Sequence, residues 1–154
     1  MTGKVEKRLI DAGVELPQAP APAANYVPYT ISGNLLVISG QVTFGPNGLE
    51  FVGKLGQDTD VETGQAAARL CAINILAQAK AALGDLDRIT QVLKIQGFVN
   101  STPDFTEHPA VINGASDFLV EVLGNAGKHA RAAVGMSSLP LGVAVEIDAM
   151  IEFQ

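Results

Sequence analysis

At 154 residues the chain is long enough for one domain with a real core and too short for two ordinary ones. Its net charge of −6, with ten scattered Lys and Arg and no Trp, argues against a nucleic-acid partner, which would require a basic stripe and stacking aromatics. Hydrophobic residues make up 47% of the chain against 17% charged, a composition rich enough to expect part of the surface to be hidden in an oligomer.

The first residues, "MTGKVEKRLIDAG", are charged and lack an apolar signal core, so a cytoplasmic protein is expected. No apolar run approaches the roughly 18–20 residues that span a bilayer, so no membrane partner is expected. A short amphipathic helix is predicted from about Lys4 to Ala12, stopped by Gly13. The Pro/Ala-rich stretch "ELPQAPAPAAN" then reads as an extended arm, giving an N-terminal segment 1–24 ahead of a domain over 25–154.

"YVPYTIS" and "LLVISGQVTF" flank Gly33-Asn34 and predict a hairpin. Gly45-Pro46-Asn47-Gly48 turns the chain into a third short strand, "LEFVG". Thr59-Asp60-Val61-Glu62 has the form of a capping box, with Thr59 as the cap, and opens a long Ala-rich helix that runs to Leu83 and stops at Gly84. Cys71, the only cysteine, lies in its apolar run and reads as a buried structural thiol. "ITQVLKIQGFV" is a fourth strand with imperfect alternation. A second helix starts near Pro109, a residue suited to a first helical turn, and runs to Gly124. His108 and His129 are isolated from each other and from Cys71, so no metal site is expected, and no cofactor.

The last segment, "ARAAVGMSSLPLGVAVEIDAM", contains two apolar strands around a Ser-Ser-Leu-Pro-Leu-Gly turn, each with a charge in its middle. Alternation puts Val143, Val145, Ile147, Ala149, Ile151 and Phe153 on one face, and Ala144, Glu146, Asp148 and Met150 on the other. If Met136 pairs with Val143 across the turn, Ala132 and Val134 share the apolar face. Arg131, Ala133 and Gly135 then join the carboxylates, with Arg131 opposite Asp148 and diagonal to Glu146, within roughly 7–8 Å. Two readings are open: a cross-strand salt bridge on a wet face, or a polar site among small neighbours. The order β-β-β-α-β-α-β-β predicts an α+β fold with one sheet and two helices on one face. It leaves the charged face uncovered unless another subunit covers it. The fourth strand and the strand of the 130s would need a crossover through the second helix if they are parallel.

"NLLVISGQVTF", "ITQVLKIQGFVN", Asn113 in "AVIN" and the closing "ARAAVGMSSLPLGVAVEIDAM" together resemble the RidA/YjgF imine-deaminase group, whose fold is related to bacterial chorismate mutase and whose members often carry an endoribonuclease label. The resemblance covers residues 25–153. It implies a homotrimer with three clefts between subunits, hydrolysing 2-imino or 2-enamino acids to 2-oxo acids and ammonia. Arg131 would bind the substrate carboxylate and Glu146 would orient and activate water. Tyr26, with Tyr29 as competitor, Ser39, Gly40, Asn113 and the backbone of Ala133 would line the cleft. Ala133 stands where the family commonly has Cys, and Asn25-Tyr26 where it commonly has Gly-Pro-Tyr. These departures leave open a trimer that binds small carboxylates without turnover.

Overall fold

The computed structural model describes residues 3–19 and 25–154. Residues 20–24 of the Pro/Ala-rich stretch, and with them the expected boundary at residue 24, lie outside the described residues.

Alternation decides the sheet. In β2 (Leu35–Gln41) and β7 (Val145–Phe153) every second residue is buried: Leu36 and Ile38 in one, Val145, Ile147, Ala149 and Ile151 in the other. β1 (Tyr29–Ser32) pairs with β2 as the predicted hairpin, with Ser32 opposite Leu35. β5 (Ile89–Asn100) and β6 (Ala130–Met136) complete a five-stranded sheet in the order β1-β2-β7-β5-β6. All neighbours are antiparallel except β5 and β6, which run parallel and are joined through α3 (His108–Leu123). Two register shifts in β5, between Ile89 and Gln91 and between Val92 and Lys94, account for its imperfect alternation.

"LEFVG" does not form a third strand of this sheet. Gly48–Leu49 (β4) pairs only with Phe44–Gly45 (β3) as a two-residue ladder. Phe51, at φ +53°, then leaves the extended region.

α2 (Val61–Leu83) and α3 cover one face of the sheet. By length and composition α2 is apolar enough to cross a membrane, contrary to the sequence expectation; 61% of its most apolar stretch is buried inside the fold, as befits a core helix. Its cap is Asp60, not Thr59: the Asp60 carboxylate accepts the Thr63 N–H at 2.8 Å, while the Thr59 hydroxyl donates to Asp58. The helix stops at Gly84, as expected. Cys71 is fully buried and burial, then the charge of Glu146, pushes its thiol far above the ordinary range.

Small residues let the helices meet. A Cβ on Gly114 of α3 would stand 2.1 Å from the Gln65 carbonyl oxygen of α2, and backbone cannot swing aside. Gly114→Ala is therefore expected to destabilise the protein by about 1–3 kcal/mol through overpacking. A denaturant midpoint within error of the parent would contradict this contact.

α1 (Lys4–Asp11) belongs to the same packed body. Val5 and Leu9 are buried in the common core, and Lys80 of α2 pairs with Glu6 at 2.6 Å. The Asp87 carboxylate accepts the N–H groups of Lys4 and Val5, each at 2.9 Å. These bonds, with the nearby Lys4 and Arg8 charges, hold its carboxyl below the usual range. A pKa lowered on folding stabilises above the unfolded value of about 3.9 and is lost as pH falls through the lower folded value. Protection of α1 amides should thus fade first on acidification, and Asp87→Asn should reproduce that loss near neutrality. Hydrogen exchange by mass spectrometry reads it; unchanged α1 protection in the variant would refute the role.

Candidate functional site

The expected hairpin between the last two strands does not form. β5 lies between them: Arg131 pairs with Ile95, and Ile95 pairs with Ala149 on its other side. Eight residues, Ser137 to Ala144, separate β6 from β7, enough to step over the intervening strand. The faces change with the pairing. Arg131, Ala133 and Gly135 align with Ile95, Gly97 and Val99 on the helix-covered side. Ala132, Val134 and Met136 share the open face with Gln96, Phe98, Glu146 and Asp148. Arg131 thus sits two strands across and three residues along from Glu146, about 14 Å away in backbone terms. It is not opposite Asp148, and among the described residues it forms no salt bridge.

On its own side Arg131 meets α3. Its Nη1 donates to Ser116 Oγ at 3.0 Å, and Nη2 lies 3.3 Å from the Pro109 carbonyl oxygen. Asn113 stands between these two positions on the helix surface and is exposed. Residues 109, 113 and 116 follow the i, i+4, i+7 spacing that makes one stripe of a helix. That spacing was available as a signal for Ser116, which sequence reasoning missed. The His129 ring contacts the same Ser116 at 2.8 Å. His108 pairs with Ser101 at 3.1 Å near the other end of β6. With Lys54, Phe105 and Gly135 they line a second depression of about 700 Å³.

The open face holds the other half of the expected constellation. β2 bulges between Ile38 and Gln41, so Ser39 and Gly40 bulge out where β7 presents Asp148. A side chain on Gly40 would collide with Glu146: the added Cβ would lie 2.8 Å from Oε2. The Glu146 carboxylate thus packs against the Gly40 backbone. Ser39 is tied to the incoming segment, its N–H bonding Pro28 O at 2.9 Å and its hydroxyl Val27 O at 2.8 Å. Val27, Tyr29, Ser39, Gly40, Gln96 and Asp148 contribute to the walls of a cavity of about 390 Å³ on this face. Tyr29 stands in that wall; Tyr26 is 58% exposed outside it.

Both carboxylates there are harder to ionise than usual. Burial, and then the charge of Asp148, push Glu146 up. Burial also pushes Asp148 up, partly countered by the Gln96 N–H and the Lys94 charge. Among the described residues neither forms a salt bridge. The arrangement is a guanidinium held against α3 on one side of the sheet and a partly desolvated carboxylate pair on the other.

The protein resembles known chains over nearly its whole length. Protein TCP17 of Trypanosoma cruzi is 50% identical over 152 residues, covering 98% of this chain and 95% of that one. The solved structure of Atu1372 from Agrobacterium tumefaciens superimposes with a TM-score of 0.92 at 54% identity, over 97% of this chain and 92% of that one. Escherichia coli TdcF, solved with bound serine, shares 26% identity with a TM-score of 0.65, over 89% and 94% of the two chains. Residues 6–152 match the profile described as "YjgF/chorismate mutase-like, putative endoribonuclease". With its five-stranded sheet, its two covering helices and this match along the chain, the protein belongs to the RidA/YjgF family of chorismate mutase-like folds.

Proposed function

We propose that the protein assembles as a homotrimer, binds small 2-imino and 2-oxo carboxylates in clefts between subunits, and hydrolyses the imino acids to 2-oxo acids and ammonia. Its family carries a general small-molecule-binding or deaminase role. One observation carries the finer reading: Arg131 and Glu146 project from opposite faces of the same sheet, and neither is neutralised by a salt bridge among the described residues. A single ligand reaches both only if they come from different copies of the chain. The open face is suited to such a neighbour, since Val37, Val134 and Met150 are 40%, 41% and 39% exposed there. β6 is an edge strand, so its Arg131 lies at the rim where another copy would meet it. Tyr26, exposed at the opposite edge, is free to join the same cleft.

In such a cleft each residue has one task. Arg131 takes the substrate carboxylate through parallel charge-assisted N–H bonds. Glu146 accepts a proton from a water as its oxygen attacks the iminium carbon, giving a carbinolamine. The proton passes to the amino nitrogen, the C–N bond breaks, and ammonia leaves as the hydroxyl loses its proton to form the ketone. A carboxyl raised toward the working pH is a better base for this than an ordinary one. The serine held by TdcF, an amino acid with a carboxylate and an amine on one carbon, fits the same ligand chemistry.

The test couples an amino-acid dehydratase to this protein and times the appearance of the 2-oxo acid. Acceleration over buffer-limited hydrolysis is expected; none would leave a binding protein without turnover. Subunit mixing then tests the composite cleft. Arg131→Ala and Glu146→Gln chains, each inactive alone, should recover about a quarter of parent activity when mixed equally, because a cyclic assembly unites an intact Arg131 with an intact Glu146 in that share of clefts. No recovery would place both residues in one chain's site or neither.

A further inference from the structure

The contacts behind Arg131 have a direction. Gly127 O can only accept, and it lies 2.5 Å from His129 Nδ1, so Nδ1 carries the ring proton. In the neutral imidazole Nε2 is then an acceptor, and its partner at 2.8 Å is Ser116 Oγ. The serine hydroxyl must donate to it. That turns the serine lone pairs toward the remaining contact, the Arg131 Nη1 donor at 3.0 Å. Gly127 is buried and close-packed on α3: a Cβ there would meet the Leu119 carbonyl oxygen at 2.2 Å. The relay therefore hangs from rigid backbone.

We propose that Ser116 and His129 are positioning residues for Arg131: the Nδ1–H tautomer of His129, set by Gly127 O, makes Ser116 an acceptor that fixes the guanidinium while its remaining N–H groups face the ligand. The proposal rests on Arg131 being the carboxylate anchor. Two of five guanidinium donors go to Ser116 and Pro109, leaving three for a ligand. A long side chain held before binding forfeits less rotamer freedom on binding, an advantage of about tenfold in affinity. Ser116 and His129 themselves need not touch the ligand.

Pyruvate and 2-oxobutyrate titrated into the full-length protein by calorimetry test it. Ser116→Ala should raise Kd about tenfold, Ser116→Thr, which keeps the hydroxyl, should stay within about twofold, and His129→Leu should fall between. A merely structural tie would lower Tm in Ser116→Ala and leave Kd alone, and that result overturns the relay. If Arg131→Ala itself binds like the parent, the anchor reading fails instead, and the two failures are thereby told apart. An independent readout is the 15N spectrum of histidine-labelled protein in mildly alkaline buffer. His129, assigned with His108→Gln, should show the Nδ1–H tautomer; the Nε2–H form would overturn the assigned direction.

Discussion

Arg131→Ala is expected to abolish binding of 2-oxo acids and all imine hydrolysis while leaving the protein folded. Two charge-assisted hydrogen bonds at about 1.5–3 kcal/mol each correspond to roughly 10²–10⁴-fold in Kd. Arg131→Lys should recover little, because an ammonium is a point charge and cannot present the planar fork. Stability should fall only modestly, by about 1 kcal/mol, because among the described residues the side chain hydrogen-bonds only one hydroxyl and one carbonyl oxygen. Calorimetry with pyruvate, alongside thermal unfolding, separates these effects. A variant that binds like the parent would remove Arg131 from the site.

Glu146→Gln is expected to do something different: keep carboxylate ligands bound and cut turnover by about 10²-fold or more. The amide preserves the shape that packs on Gly40 and removes the base. The substitution also removes a half-buried charge. Since the folded carboxyl is raised, ionisation costs stability in full above the folded value; the cost shrinks as pH falls through that value and is gone below the unfolded one. The glutamine variant should therefore be at least as stable as the parent at neutral pH, and less dependent on pH. In the parent, activity should decline on acidification through the raised Glu146 value, because the base is then protonated. Turnover unchanged in Glu146→Gln would shift the role of base to Asp148 or to no protein group.

How much of this could be read beforehand depends on range. The faces of β7, the β1–β2 hairpin at Gly33-Asn34 and the span of α2 to Gly84 follow from period and turn chemistry, properties of a few adjacent residues. Arg131 and Glu146 stood out for the same reason, as charges inside apolar strands. The cap was misplaced by one residue because Thr59 and Asp60 are both capping types, and only the backbone geometry chooses between them. Ser116 and His129 were missed because their partner is thirteen residues away in sequence, around a helix end and a turn.

The sequence by itself determined most of the elements and the two faces of strands such as β2 and β7, and it singled out Arg131 and Glu146 as candidates. Only the tertiary structure decided that β5 lies between β6 and β7, and so that Arg131 shares a face with α3 rather than with Glu146. The physical reason is that alternation assigns residues to two faces of one strand but says nothing about which face aligns with a distant strand's. That depends on the neighbour, and an eight-residue connection permits either a hairpin or a step over one strand. The parallel β5–β6 pair, closed through α3, seats α3 on the helix-covered face of the sheet while β6 takes the edge. With that choice made, the arginine and the carboxylates part to opposite sides of the sheet.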